Sequence, residues 1–169
     1  MTDRAEKSLP SPEKTPAVLA VSPLPADRLR LRAILSQASW KLHEASTCRE
    51  ALALLRDQSV PVLLSNRDHA DGNWEELLNA TAWLPAPPQI IVFSRLADES
   101  LWAQVLNMGG FDVLMTPFDP EEVLRVTFSA WSHWERDFAT APPARRGVQQ
   151  ATGDGAANRL SGRVRTSSA

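Results

Sequence analysis

The sequence predicts an α/β fold in which helices cover both faces of a doubly wound, five-stranded parallel sheet. Two observations favour this class. Short apolar runs alternate along the chain with amphipathic segments, and five such pairs fit within about 120 residues. Most of the apolar runs are continuous, which is typical of strands buried on both faces. We expect the strand order 2-1-3-4-5, with the functional edge at the carboxyl ends of the strands.

The first two strands and the helix between them are marked by local sequence. Residues 17–21 form a continuous apolar run that ends at Pro23 and Pro25. Residues 27–36 then show the apolar spacing of a helix. Residues 40–44 alternate between polar and apolar with a period of two, which indicates an edge or half-buried strand.

Capping signals place the next two helices, on either side of the third strand. Thr47 followed by Glu50 predicts a capping box at the start of the second helix. Residues 60–64, rich in branched apolar side chains, form the third strand. Asn73 followed by Glu76 then predicts the start of the third helix.

The remaining elements repeat the pattern. Residues 89–93 are the most apolar strand, and residues 111–115 form a weaker fifth strand. Asp98 begins the fourth helix, and the Gly-Gly pair at 109–110 ends it. The Asp-Pro pair at 119–120 supplies a cap and a first-turn proline for the fifth helix.

Composition divides the chain into one domain and two tails. Residues 1–15 are polar and punctuated by proline, so we expect them to be disordered, and residues 16–137 form the domain. Residues 138–169 form an Ala/Pro/Arg-rich tail that we also expect to be disordered. The domain is acidic, with a net charge of −6 over residues 16–138, whereas residues 139–169 carry five Arg and one Asp. The basic tail is either a solubilising extension or a segment that contacts nucleic acid, membrane or its own acidic body.

Several classes of protein are excluded by composition. The first residues lack the apolar core of a signal peptide, and no apolar run approaches the roughly 18 residues of a membrane span, so we expect a cytoplasmic protein. Cys48 is the single cysteine, which rules out an intrachain disulfide and a thiolate metal cage. The tail arginines lack interleaved aromatic residues, so nucleic-acid binding is weakly supported.

Three segments in a fixed order resemble the response-regulator receiver family. Residues 90–99 are similar to its fourth strand, its Ser/Thr switch position and the start of its fourth helix. Residues 109–122 are similar to its fifth strand, Lys-Pro pair and fifth helix, and residues 62–72 to its phosphoacceptor strand and loop. The resemblance covers about residues 17–134 and implies the CheY-like, flavodoxin-like fold.

The receiver family places two acidic residues after its first strand and a phosphoacceptor Asp after its third, and these carboxylates together hold Mg²⁺. In this sequence Ser22 and Pro23 follow the first strand. Asn66 stands at the acceptor position, with Ser65 as the alternative if the register differs by one residue. Because none of these side chains is a carboxylate, the chain is identified as a degenerate pseudo-receiver in which no cofactor is expected. Mg²⁺ would bind only if this interpretation of the pocket is wrong.

The remaining positions of the family's switch also differ. Ser94 keeps the family's hydroxyl after the fourth strand, but Val113 replaces its aromatic switch residue. Thr116 replaces the lysine before Pro117, and the resemblance implies a cis peptide bond between the two.

These substitutions favour a non-enzymatic signalling module of a two-component or phosphorelay system that binds partners without being phosphorylated. One alternative is a phosphoacceptor that uses a displaced carboxylate, Asp68 or Asp71. The other is a small-ligand binder on a flavodoxin-like fold. A phosphate-binding loop after the first strand would need backbone N–H donors, and Pro23 and Pro25 remove two of them.

The resemblance also implies where partners bind. The family uses the face formed by its fourth helix, fifth strand and fifth helix for partners and for dimers, so we expect a protein partner or a second copy there. A histidine kinase is a candidate partner, and no membrane contact is expected. Exposed aromatic side chains would anchor such an interface. The interface candidates are Trp102, Phe118, Trp131 and Trp134.

Overall fold

A computed structural model describes residues 15–139, in which a parallel five-stranded sheet lies between two layers of helices. The strand order is β2-β1-β3-β4-β5, with every neighbouring pair parallel, so the predicted fold class and order are confirmed. The strands are β1 (Ala17–Val21), β2 (Lys41–Ala45), β3 (Val62–Asn66), β4 (Gln89–Ser94) and β5 (Asp112–Met115).

Four helices connect successive strands and a fifth follows the last strand, and four of the five begin at a side-chain cap. Thr47, Asn73, Asp98 and Asp119 each accept a backbone N–H from the first turn, as predicted. Gly109 ends a helix with φ of 96°, a left-handed conformation that glycine adopts without strain. The helices are α1 (Pro25–Ser36), α2 (Cys48–Asp57), α3 (Trp74–Thr81), α4 (Glu99–Met108) and α5 (Pro120–Trp134).

Several boundaries differ from prediction. α1 begins at Pro25, two residues early, because proline suits the first helical position. β3 runs two residues later than predicted, since Val62 is its first residue paired with β1. A π-helical turn, Glu135–Ala139, follows α5, so the first two residues assigned to the tail continue the helix. Residues 1–15 and 138–169 were expected to be disordered, and of these, residues 1–14 and 140–169 lie outside the part of the chain that the structure describes.

Two apolar layers form the core, one on each face of the sheet. Alternate residues of β1 point to opposite faces: Val18 and Ala20 pack beneath α1 and α5, whereas Leu19 and Val21 pack beneath the other helices. All four are fully buried, which explains why this strand reads as a continuous apolar run. None of the helices within residues 15–139 is both long and apolar enough to span a membrane.

Phe118 is a core residue. It is 6% exposed and packs edge-to-face against Phe93 of β4, with ring centroids 5.0 Å apart. The expectation that Phe118 lies on an interface is therefore wrong, because its ring turns inward to fill the layer under α5.

Candidate functional site

The carboxyl ends of four parallel strands bring uncharged polar side chains to one edge of the sheet. Ser22 follows β1, Asn66 ends β3, Ser94 ends β4 and Thr116 follows β5. The backbone continues the pairing here, since the Thr116 N–H donates to the Ser94 carbonyl at 3.1 Å. These four residues, which stand at positions matched to the receiver family, therefore lie along one edge of the sheet.

One carboxylate, Asp27, joins this edge from the first turn of α1. Ser22 Oγ donates to Asp27 Oδ2 at 2.8 Å, and Asn66 Nδ2 donates to the same oxygen at 3.3 Å. Asn66 Nδ2 also lies 3.4 Å from Ser22 Oγ, and the Arg28 guanidinium donates to the Ser22 carbonyl. Sequence reasoning missed Asp27, although its place five residues after Ser22, at the start of a helix, was the available signal.

The structure places the Asn66 side chain, rather than that of Ser65, beside Ser22. Ser65 is fully buried, and its hydroxyl bonds the Asn66 carbonyl at 2.8 Å and His69 Nε2 at 2.9 Å. Burial lowers the pKa of His69, because a charged imidazole would lose hydration there. The hydrogen bond between Ser65 and His69 anchors the loop after β3. Within this loop, Asp68–His69 and Gly72–Asn73 pair as a short antiparallel ladder that the sequence did not predict.

Asp68 and Asp71, the two candidates for a displaced phosphoacceptor, make contacts away from the Asn66 cluster. Both carboxylate oxygens of Asp71 accept backbone N–H groups at the start of α2, from Cys48 and Arg49, each at 3.0 Å. These bonds lower the pKa of Asp71, because they favour its charged form. Asp68 is exposed, and its carboxylate lies 3.9 Å from the Arg67 guanidinium. Asp71 therefore caps a helix, and Asp68 faces solvent.

An open groove of about 590 Å³ borders the same edge. Asp27 and Thr116 line it, together with two arginines, Arg30 and Arg95. The Thr116–Pro117 peptide bond at its margin is cis. Within residues 15–139, no three His, Cys, Asp or Glu side chains gather closely enough to hold a metal ion.

A second groove, of about 280 Å³, lies between α4, β5 and the first turn of α5. Trp102 is 50% exposed on this face and Met115 is 54% exposed, with Val113 half-buried between the elements. The indole N–H of Trp102 lies 3.3 Å from Asp112 Oδ1. We call this face, formed by α4, β5 and the start of α5, the α4–β5–α5 face.

The other two tryptophans expected on that face are packed elsewhere. Trp131 is half-buried and contacts Trp40 edge-to-face with centroids 6.1 Å apart, on the side of α5 that faces α1. Trp134 is half-buried against Phe138, and its indole nitrogen is buried without a partner in the described residues. Of the four interface candidates, Trp102 alone is exposed on the α4–β5–α5 face.

Solved structures similar to this chain include signal receiver domains and response regulators. The signal receiver domain of an HD domain-containing protein from Pseudomonas fluorescens Pf-5 matches with 24% identity and a TM-score of 0.70, covering 79% of this chain and 99% of that one. Chemotaxis response regulator CheY4 of Vibrio cholerae matches with 22% identity and a TM-score of 0.62, covering 69% and 98%. This chain has the receiver-domain fold. None of the known family models matches the sequence, and no curated protein does.

The receiver fold is also shared with the beryllofluoride-activated NtrC4 receiver domain dimer, at 21% identity and a TM-score of 0.65, covering 70% of this chain and 98% of that one. At sequence identities of 21–24%, the similarity to these structures shows a shared fold alone. The active edge of this fold is the carboxyl edge of the sheet. In this chain Asn66, Ser22 and Asp27 occupy that edge as one hydrogen-bonded cluster.

Proposed function

We propose that this chain is a receiver-like signalling module of a two-component or phosphorelay system that acts by protein–protein interaction without phosphorylation, and that it is not an enzyme. The observation that carries the proposal is the Asn66–Ser22–Asp27 cluster, in which an amide donates to a carboxylate at the strand tips. The receiver resemblance places a phosphoacceptor Asp at the position of Asn66. An amide is a poor nucleophile and cannot form an acyl phosphate.

The charge at the strand tips also argues against the receiver reaction. Phosphoryl transfer depends on a metal ion and on cationic groups that offset the developing charge. Asp27 is the single carboxylate in the cluster, and its Oδ2 atom already accepts hydrogen bonds from Ser22 and Asn66. Thr116 supplies a hydroxyl where the resemblance expects a lysine. One carboxylate is a poor site for Mg²⁺, which is usually held by carboxylates together with phosphate oxygens.

The α4–β5–α5 face supports the binding role. Trp102 and Met115 expose apolar surface there, and aromatic side chains of this kind anchor protein interfaces. A receiver domain with the same fold, that of NtrC4, forms a dimer. For this chain we propose a protein partner or a second copy at this face, with a histidine kinase as one candidate and the cytoplasm as the location.

Phosphorylation is tested by incubating the protein with acetyl phosphate and Mg²⁺ and measuring its intact mass. We expect no added phosphoryl group, because the cluster lacks an acceptor carboxylate at Asn66. A phosphoryl adduct that Asp68→Asn or Asp71→Asn abolishes would overturn the proposal in favour of a displaced acceptor.

Binding is tested by capturing partners without Mg²⁺ or phosphodonor, and by sedimentation for self-association. Trp102→Ala should weaken capture or self-association about tenfold or more, because truncating an interface anchor of this kind costs more than roughly 1.4 kcal/mol of binding free energy. Trp83→Ala is the matched control, because Trp83 is 91% exposed in the loop before β4, at the amino ends of the parallel strands. Equal effects of the two changes would count against the α4–β5–α5 face.

A further inference from the structure

The α4–β5–α5 face carries charge of one sign. Residues 96–124 span α4, β5 and the first turn of α5 and contain six carboxylates and no Lys, Arg or His. Within residues 15–139, neither Glu99 nor Glu122 has a cationic partner at ion-pair distance. The six acidic residues are Asp98, Glu99, Asp112, Asp119, Glu121 and Glu122.

Apolar side chains form the centre of this acidic face. The groove of about 280 Å³ is lined by Trp102, Val113 and Met115, with Glu99 and Glu122 among the charged residues beside them. An occupant that matches both features has apolar side chains flanked by cations, because an unpaired acidic rim attracts positive charge and an exposed apolar patch gains from burial.

The chain contains such a segment outside the described residues. Residues 159–165 read Arg-Leu-Ser-Gly-Arg-Val-Arg, with three arginines, two apolar side chains and no acid. We call residues 159–165 the basic segment. Leu160 and Val164 match the apolar groove, and the arginines match its carboxylates, since guanidinium groups pair with carboxylates in a bidentate geometry.

The groove is within reach of the basic segment. Phe138, near the end of the described chain, lines a cavity together with Met108 and Gly109 at the carboxyl end of α4. The groove lies at the other end of α4, which is about 15 Å away for a ten-residue helix. A flexible chain of 20 residues, the number that separates residue 139 from residue 159, spans about 25 Å. A tether of this length holds the segment near the groove at roughly millimolar effective concentration.

We infer that the basic segment docks in the acidic, apolar groove of the α4–β5–α5 face of its own chain. The docking itself depends on charge and apolar complementarity. Its consequence rests on the proposed function: a partner that uses the Trp102 face competes with the tail, so the tail regulates access to that face.

The test uses the full chain with a nitroxide on a cysteine introduced at the end of the basic segment, Ser167→Cys. The native Cys48 is buried and leaves the introduced thiol as the labelling site. We expect paramagnetic broadening of backbone amide signals to concentrate on residues 98–102 and 113–115. Replacing the three arginines (Arg159→Ser, Arg163→Ser and Arg165→Ser) should abolish it.

A matched pair of variants separates docking from general attraction. The test variant combines Glu99→Gln with Glu122→Gln and removes two first-turn carboxylates at the groove. The control variant combines Glu75→Gln with Glu76→Gln and removes two carboxylates from the first turn of α3. The first pair should abolish the broadening and the second should retain it. Equal effects of both pairs, or broadening spread evenly over the domain, would overturn the inference.

A mixing experiment tests whether the contact is within one chain. Isotope-labelled protein without nitroxide is mixed with unlabelled protein that carries it, and the isotope-labelled signals should remain sharp. Broadening in the mixture would overturn docking within one chain in favour of a second copy. Neither result depends on phosphorylation or on a partner, so failure of this inference is distinguishable from failure of the proposed function.

Discussion

Asn66 and Asp27 are joined by a hydrogen bond across the carboxyl edge of the sheet, with Asn66 Nδ2 lying 3.3 Å from Asp27 Oδ2. Ser22 donates to the same oxygen at 2.8 Å, so the ends of β1 and β3 and the start of α1 share one acceptor. A neutral amide satisfies this carboxylate, whereas a second carboxylate would repel it. The hydrogen bonds of the cluster therefore favour one arrangement of the strand tips.

Asn66→Asp should destabilise the protein by about 1–3 kcal/mol at pH 7, because it removes a donor to Asp27 and adds a like charge beside it. Urea unfolding measures the effect. The difference from the native protein should shrink as the pH falls toward about 4, where carboxyl groups take up protons.

Asn79→Asp is the control for this change, since Asn79 is exposed on α3. It should alter the free energy of unfolding by about 0.5 kcal/mol or less. The account of the cluster fails if Asn66→Asp costs no more than Asn79→Asp.

Asp71→Ala should reduce stability by about 1 kcal/mol at pH 7, a value typical of losing an N-terminal helix cap. The exposure of Asp71 and solvent screening keep the effect small. The backbone bonds hold the pKa of Asp71 below its ordinary value, so its contribution is present above about pH 4 and is lost as the pH falls through the lowered pKa. Urea unfolding at pH 7 and pH 3 measures this dependence.

Asp68→Ala is the corresponding control for Asp71, because Asp68 is exposed and its carboxylate has a weak 3.9 Å contact with Arg67. We expect a change within about 0.5 kcal/mol at both pH values. A larger loss from Asp68→Ala than from Asp71→Ala would show that the helix cap has been assigned to the wrong carboxylate.

Phe118→Ala should cost about 3–5 kcal/mol, because it leaves a cavity against Phe93 in the layer under α5. Phe128→Ala removes the same ring from a position on α5 that is 57% exposed, and should cost about 1 kcal/mol or less. Thermal and urea unfolding compare the two. Similar losses would contradict the assignment of Phe118 to the core.

Stability should fall as the pH drops from about 7 toward 5. The pKa values of His43 and His69 are both lowered, mainly by burial, so the unfolded chain takes up protons first. The stabilisation from neutral imidazoles is therefore complete above about pH 6.5 and declines below it. Urea unfolding at several pH values measures the slope.

His43→Gln combined with His69→Gln should flatten that slope. His133→Gln is the matched control, because His133 is an exposed side chain of α5 that lies 3.2 Å from Asp137. If the double variant keeps the full pH dependence, burial of these two imidazoles is not its cause.

Most of the fold could be predicted from local sequence. The cap of α4 at Asp98 and the left-handed Gly109 at its end are formed within a few residues, so short-range pattern is sufficient to place them. Strand β1 was placed correctly because burial on both faces requires a continuous apolar run. Boundaries failed where pairing decides them, as in β3, whose first paired residue is Val62.

The candidate site was less predictable, because its contacts join distant parts of the chain. The resemblance implied Asn66 at the end of β3 as a site position, but it gave no reason to include Asp27, which lies 39 residues away in sequence. The role of Asp71 as a cap for α2 could not be predicted from local sequence either, because its partners Cys48 and Arg49 lie 23 and 22 residues away.

The sequence by itself determined the alternation of strands and helices and the residue types available at the strand ends. Hydrophobic periodicity and capping act over a few residues, so they can be read without coordinates. Tertiary structure decided that Asp27 bonds Asn66, that Phe118 turns inward and that Trp102 remains half exposed. These outcomes depend on how side chains from separate elements fill common space, and that packing has no local signature.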